Sequence, residues 1–166
     1  MARPPNLVRT IASAIIAQLQ TLNGADPFIV DLTATDAVFR GWDAAGRNTP
    51  CVGITIPDDE PEQRVTTSMV GQTRRVMVFG WPEPGADFGA TEDACEDMRT
   101  DLRQVLNQTA LSAALNTVQS GYGNGAIVKF VAVNREGDTE QAQTVAPVQI
   151  AFTVTLRVND QTQKRD

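Results

Sequence analysis

The chain of 166 residues contains no histidine. Histidine is the side chain that most often serves as a general base near neutral pH, and it is the commonest metal ligand. Its absence excludes every mechanism in which this chain would activate a serine or cysteine with its own histidine. Catalysis by this sequence would depend on carboxylates and on two lysines, Lys129 and Lys164.

Cysteine is almost as scarce, since Cys51 and Cys95 are the only two. Two cysteines are too few for a disulfide framework. We predict that both are small apolar core residues. The alternative is a thiol nucleophile, which needs an activating base beside it.

Long apolar runs are missing as well. The longest one is far below the ~18–20 residues that cross a bilayer, and the opening residues Met1–Asn6 contain no hydrophobic signal segment. We therefore expect a chain that is made and folded in a cytoplasm and has no membrane partner.

The residues that are present are typical of a folded domain. Hydrophobic residues make up 42% and charged residues 20% of the chain, which is ordinary globular composition. The length suits one domain. No repeat, low-complexity segment or linker divides it, so we predict a single domain over residues 1–166.

The net charge of −6 is unevenly distributed. Residues 48–128 hold eleven acids and five arginines, which accounts for all of it, while the two flanking stretches each sum to zero. A negative surface repels nucleic-acid phosphates. The charge pattern therefore argues against a specific nucleic-acid-binding domain.

Hydrophobic spacing predicts two main helices. The first covers about 6–22, where apolar residues recur at i and i+4, and Asn23-Gly24 ends it. The second covers about 91–107, with Thr91 as its N-cap and acidic residues in its first turns, where they complement the helix dipole.

Alternating apolar residues predict the strands. The clearest strand covers about 146–158 and precedes a polar tail at 159–166. Residues 64–81 are either a hairpin across Gly71-Gln72 or one long strand. Further strands are predicted at 28–39, 51–56 and 127–133. The fold class is α+β, with a mostly antiparallel or mixed sheet of about four to six strands flanked by the two helices on one face.

Three groups of residues are candidate sites. Four acids follow Pro57, and they form either a divalent-cation site or a solvated loop, although they lack the ligand spacing of a calcium loop. Three arginines could form a basic strip near that loop or simply pair with its acids. Two tryptophans at element edges could anchor a partner subunit or close the core. The groups are Asp58, Asp59, Glu60 and Glu62; Arg64, Arg74 and Arg75; and Trp42 and Trp81.

The glycines of Gly121–Gly125 follow a helix and open a strand, the reverse of a phosphate-binding loop, so we interpret them as a turn. No catalytic constellation emerges from the sequence. We therefore expect no cofactor, no metal and no enzymatic activity, and an assembly role fits these features better.

The order of elements resembles the tail terminator, or tail completion, proteins of long-tailed bacteriophages. The features that carry the resemblance are the amphipathic helix Leu7–Leu19, the strands Pro50–Pro57 and Arg75–Trp81, the helix Thr91–Asn107 and the strand Pro147–Val158. Together they span nearly the whole chain. The family has no short signature motif, so the candidate sites above rest on charge and position alone.

The resemblance implies a virion structural protein that assembles as a ring, typically a hexamer, on the last ring of the tail tube. Such a ring stops elongation and joins the tail to the head-closure or connector protein, with the sheath protein as a further partner in contractile tails. DNA would pass through the lumen, and Asp58, Asp59, Glu60 and Glu62 would line the lumen or its rim. Trp42, Trp81 and the three arginines would contact other subunits.

Other function classes stay open on the sequence alone. One is a carboxylate-based metal-dependent hydrolase that uses Asp58, Asp59 and Glu60. Others are another phage neck or head–tail joining protein, and a general α+β binding module.

Overall fold

The computed structural model describes residues 7–57, 63–64, 69–107, 109–111, 113–114, 128–134 and 146–159. Its elements combine two main helices with six strands. In chain order they are α1 (Leu7–Leu19), β1 (Val38–Arg40), β2 (Cys51–Thr55), β3 (Gln63–Arg64), β4 (Met69–Trp81), α2 (Phe88–Val105), β5 (Val128–Asn134) and β6 (Val148–Asn159).

The strands form one mixed sheet in the order β1-β2-β4-β6-β5, and β3 pairs with β4 on the edge that β2 also uses. Strand β1 is parallel to β2, and every other pair is antiparallel. The α+β class predicted from the sequence is confirmed, with a strand number within the stated range.

The hydrophobic core lies between the two helices and one face of the sheet, which we call the helix-side face. Strands β4 and β6 pair Val76 with Phe152 and Val78 with Ile150, so the alternate residues of both strands point to the same side. Helix α1 adds one apolar stripe and α2 another. The buried residues include Ile11, Ile15 and Leu19 from α1, Met98, Leu102 and Val105 from α2, and Val52, Ile54, Val76, Val78, Val148, Ile150, Phe152 and Val154 from the sheet.

A glycine on β4 lets α2 approach this face closely. A Cβ atom at Gly80 would lie 2.6 Å from the sulfur of Met98 and 3.5 Å from a methyl carbon of Leu102. The absence of a side chain at Gly80 therefore leaves the space that α2 fills.

Both predicted helices exist, with shifted bounds. Helix α1 ends at Leu19, three residues before the predicted end, and Leu22 is still fully buried in the turn that follows. Helix α2 ends at Val105, and residues 109–111 and 113–114 are also helical.

The predicted start of α2 was wrong. Asp87 is the N-cap, with its Oδ1 accepting a hydrogen bond from the Ala90 N–H at 2.8 Å, so the helix begins at Phe88. Thr91 lies within the first turns, where its hydroxyl donates to the Asp87 carbonyl at 2.9 Å. The first turn holds no acid. Aspartate is as good an N-cap residue as threonine, so residue preference did not decide between them. The apolar stripe of α2 begins after its first turn, so hydrophobic spacing does not indicate where the helix starts.

The predicted strand at 28–39 is largely irregular chain. Only Val38–Arg40 forms a strand, and an isolated bridge joins Asn23 to Asp31. The apolar residues that suggested a strand are nevertheless buried, because Val30 and Leu32 reach the core from a loop.

The region 64–81 contains both a long strand and a reversal. Strand β4 runs unbroken through Gly71-Gln72, and its beginning pairs with β3 through Gln63 opposite Gly71. The chain therefore reverses between Arg64 and Met69 and not at Gly71-Gln72.

The last two strands lie within two residues of their predicted bounds, at Val128–Asn134 and Val148–Asn159. Asn159, assigned to the polar tail from the sequence, is the last strand residue. Residues 160–166 of the tail and Gly121–Gly125 lie outside the described residues.

Candidate functional site

The acidic segment after Pro57 connects two strands on one edge of β4. Thr55 at the end of β2 lies opposite Met77, and Gln63 at the start of β3 lies opposite Gly71. The connection thus leaves β2 opposite the second half of β4 and enters β3 opposite the start of β4. The four acids themselves lie outside the described residues: Asp58, Asp59, Glu60 and Glu62.

The three arginines of the predicted basic strip do not share one face of the sheet. Arg74 and Arg75 are neighbours on β4, so strand alternation puts them on opposite faces. Arg74 lies on the helix-side face with Val76, and Arg75 lies on the other face, which we call the outer face. Arg64 pairs in register with Val70 near the start of β4. A single strip therefore does not contain all three.

Trp81 belongs to an aromatic cluster on the outer face. Its ring stacks on Phe39 with centroids 5.9 Å apart and lies 6.4 Å from the Phe79 ring. The Arg47 guanidinium carbon sits 3.7 Å from the centroid of Phe39, in a cation–π geometry. Gly53 allows this cluster, because a Cβ there would collide with the Gly41 carbonyl oxygen and meet the Phe39 ring at 3.0 Å. The half-buried Trp81 thus covers the end of the sheet.

Trp42, in contrast, has no ring partner among the described aromatic residues and is 61% exposed. It follows Gly41, whose positive φ of 137° turns the chain away from β1. Of the two tryptophans that the sequence suggested as partner anchors, Trp42 has the exposure that a contact requires.

Sequence reasoning missed a buried carboxylate on α2. Asp101 is 3% exposed, and its Oδ2 accepts hydrogen bonds from the N–H groups of Ile29 and Val30, both at 2.8 Å. Burying a charged group requires such partners. The signal was present in the sequence, because Asp101 interrupts the apolar stripe formed by Met98 and Leu102.

The clamp by Asp101 fixes the loop between α1 and β1 onto α2. One of the two residues it holds, Val30, is buried, while the other, Ile29, is 64% exposed. An exposed apolar side chain on a fixed backbone is a second candidate for contact with a partner.

A polar cleft of about 350 Å³ opens beside the same loop. Its lining includes Asp31, Thr33, Asp36 and Asn48. The Thr33 hydroxyl donates to Asp31 Oδ1 at 2.6 Å and the Thr33 backbone N–H donates to the same atom at 2.9 Å. These two bonds, the hydroxyl first, lower the pKa of Asp31 from its usual range. The cleft therefore keeps a negative charge at neutral pH.

The prediction that both cysteines are buried core residues is confirmed for Cys51, whereas Cys95 is only partly buried against the core. Cys51 is fully buried on β2, and Cys95 is half-buried on α2. Burial raises the pKa of both thiols; at Cys95, Arg99 opposes the rise and Glu96 adds to it. A raised pKa reduces the thiolate fraction at neutral pH, the opposite of what a cysteine nucleophile needs.

Within the residues that the structure describes, no group of three or more aspartate, glutamate or cysteine side chains could hold a metal ion. No helix in that part of the chain has the length and apolar content needed to cross a membrane. No protein-family model matches the sequence, and a comparison with curated proteins found no similar sequence.

Proposed function

We propose that this protein is a tail terminator of a long-tailed bacteriophage. In this role it is a structural protein of the virion, assembled as a ring of about six copies at the end of the tail tube. The ring stops tube elongation and joins the tail to the head-closure or connector protein, and DNA passes through it.

The observation that carries the proposal is the arrangement of the elements. An amphipathic N-terminal helix and a second helix pack on one face of a mixed sheet, and the long strands β4 and β6 are its centre. This is the layout on which the resemblance to tail terminators rests.

The charge distribution supports the same role. All of the net −6 falls between residues 48 and 128. A lumen or rim bearing Asp58, Asp59, Glu60 and Glu62 would repel DNA phosphates and let DNA slide without binding. Screening acts over ~8 Å at physiological salt, so copies of such a segment can face each other across a water-filled channel.

Tube assembly tests the role directly. The cognate tail-tube protein is polymerised with and without this protein, and tube ends are imaged by electron microscopy. We expect closed rings on one end of each tube and no further growth from capped ends. Tubes that elongate unchanged, or a monomer that hydrolyses a substrate with Mn²⁺ or Mg²⁺, would contradict the proposal.

Charge reversal tests the lumen. Replacing Asp58, Asp59, Glu60 and Glu62 together by lysine is expected to leave the domain folded, since a connection after Pro57 adds little to the core. Particles should assemble but eject DNA poorly, because a basic lumen attracts phosphates. Reversing the exposed acids Glu83 and Asp36 is the control and should leave ejection normal. Normal infection by the four-residue variant would refute the lumen assignment.

A further inference from the structure

Strand β1 forms one edge of the sheet, and one side of it is unpaired. Alternate residues of this segment bond to β2: the Ala37 carbonyl accepts from β2 at 2.7 Å, and the Gly41 N–H donates to β2 at 2.9 Å. Val38 and Arg40 alternate with them, so their N–H and C=O groups point away from β2. In the described part of the chain no strand pairs with that side. We call these backbone groups of Val38 and Arg40 the free edge.

The end of β1 adds a cation and an aromatic ring to the free edge. The Arg40 side chain is exposed and forms no ion pair with any residue that the structure describes. Trp42, two residues further on, is 61% exposed. An arginine and a tryptophan side by side are the residue types that most often dominate a protein contact. This end of the free edge therefore fits an acidic residue next to an apolar one.

The polar cleft lies at the opposite end of the free edge. Ala37, the residue before β1, is part of its lining. Two carboxylates, those of Asp31 and Asp36, also line it, and no base is among its described lining residues. Its volume of about 350 Å³ is near the lower end of the range of about 300–1,000 Å³ for ligand pockets. The cleft therefore fits one long cationic side chain, a lysine or an arginine.

One carboxylate of the cleft is already oriented for such a cation. Both hydrogen bonds from Thr33 reach Oδ1 of Asp31, and among the described residues no donor bonds to its Oδ2. The side chain is thus fixed by one oxygen and can accept a charge-assisted hydrogen bond with the other. Little conformational entropy remains to be lost when a cation binds.

The cleft, the free edge and the exposed pair follow one another along β1. From Ala37 to Trp42 the chain takes five residue steps, which is ~17 Å in extended backbone. A six-residue extended peptide covers that distance. Strand addition to a sheet edge takes its affinity from main-chain hydrogen bonds and its specificity from the side chains. The three features together provide both.

A second copy of this chain is a poor occupant of the free edge. Strand β1 has only three residues, and a short edge with a charged side chain resists pairing between identical edges. Such pairing would also bring two Arg40 side chains together. An extended segment with acidic and basic residues has no such conflict.

We propose that the free edge of β1 binds an extended peptide segment of a partner protein. The segment places an acidic residue beside Arg40 and Trp42 and a lysine or arginine in the cleft. Antiparallel pairing, the commoner kind, puts that basic residue at the C-terminal end of the segment. This inference goes beyond the tail-terminator role and does not depend on it.

A capped synthetic peptide, Glu-Val-Thr-Val-Thr-Lys, is the probe. It is titrated into isotope-labelled protein and followed by NMR. We expect saturable shifts and slower hydrogen exchange at the amides of Val38 and Arg40, because both gain hydrogen-bond partners. An analogue with N-methyl groups on its four central residues cannot donate from these positions and should not bind. Binding of the analogue, or no effect on the two amides at millimolar peptide, would overturn the proposal.

Substitutions of exposed side chains test the two ends of the site. Trp42→Ala and Arg40→Glu should each weaken peptide binding about tenfold. Asp31→Asn keeps an oxygen for the turn but removes the charge, and should weaken binding about threefold. Phe88→Ala and Glu92→Gln are the matched controls, since they remove an exposed ring and an exposed carboxylate on α2, and they should leave binding unchanged. Equal losses in the controls would contradict the site.

Two further measurements decide the orientation and the occupant. The reversed peptide, Lys-Thr-Val-Thr-Val-Glu, should bind about tenfold more weakly, because like charges then meet at both ends. Equal binding would overturn the assignment of the ends. If a higher concentration of the protein alone protects the amides of Val38 and Arg40, a second copy occupies the edge and the proposal fails.

The outcome is separable from the test of the tail-terminator role. Tube capping without peptide binding leaves that role intact and removes this site. Peptide binding without tube capping leaves this site intact and removes the role.

Discussion

The two faces of the sheet are built by the same strands, yet they hold different chemistry. The residues that β4 and β6 bury beneath the two helices on the helix-side face are aliphatic apart from Phe152. The outer face has an aromatic cluster in which Trp81 lies against Phe39 and Phe79. Strand alternation thus lets one element contribute to the core with one face and to a chemically distinct surface with the other.

The largest expected effect is the difference in stability between substitutions at two adjacent residues of β6, one on each face of the sheet. Phe152 is 1% exposed on the helix-side face, and the adjacent Thr153 is half-buried on the outer face. Phe152→Ala should lower the free energy of unfolding by about 3–5 kcal/mol, because it leaves a cavity in the core. Thr153→Ala should cost less than about 1 kcal/mol. Urea unfolding measures both, and similar losses would contradict the distinction between the faces.

Each face of the sheet has a glycine against which a neighbouring group packs closely. Gly53 on the outer face is blocked by the backbone oxygen of Gly41, whereas Gly80 on the helix side faces the flexible Met98 side chain. Gly53→Ala should cost about 1–3 kcal/mol, since the backbone must move. Gly80→Ala should cost less, because a methionine side chain adapts readily. The reverse order in thermal unfolding would show that α2 is the more rigid neighbour.

The substitution Asp101→Asn tests the hydrogen bonds by which Asp101 holds the loop between α1 and β1 against α2. The change removes the charge that accepts from the Ile29 and Val30 N–H groups, and hydrogen bonds to a charged group contribute about 1.5–3 kcal/mol. We expect a loss of that size in urea unfolding and faster hydrogen exchange at these two amides. Asp97→Asn, one turn away and only half-buried, is the control and should change neither.

The smallest effect expected is in thiol reactivity. Cys51 is fully buried and pairs in register with Trp81 on the outer face, whereas Cys95 is half-buried on α2. Burial raises the pKa of both thiols above the ordinary value of 9.0, so the protonated form is favoured below that pH in the folded state. Alkylation should be slow at neutral pH and quicken as the pH rises, first at Cys95. Equal labelling of both in the native protein would contradict the burial of Cys51.

The sequence predicted the helix-side face well, since it depends on periodicity. The alternation from Val148 to Val154 and the spacing of Ile11, Ile15 and Leu19 agree with the buried residues of the structure. Packing requires an apolar residue at each such position, so the pattern carries the information.

The remaining features depended on contacts distant in sequence. The clamp by Asp101 joins residues more than seventy positions apart, and the aromatic cluster joins Phe39 on β1 to Trp81 on β4. Neither contact follows from local spacing. The start of α2 was missed for another reason, because Phe88 is exposed and adds nothing to an apolar stripe.

The position of β6 has a consequence for synthesis of the protein. Among the described strands it is the last to leave the ribosome, yet it lies between β4 and β5 and supplies Val148, Ile150, Phe152 and Val154 to the core. Until it emerges, β4 has one bare edge and both helices lack part of the surface that buries them. Such a nascent chain exposes apolar side chains and an unpaired strand edge, which promote aggregation. Translation pauses shortly before residue 148 should therefore increase the chain's dependence on chaperones.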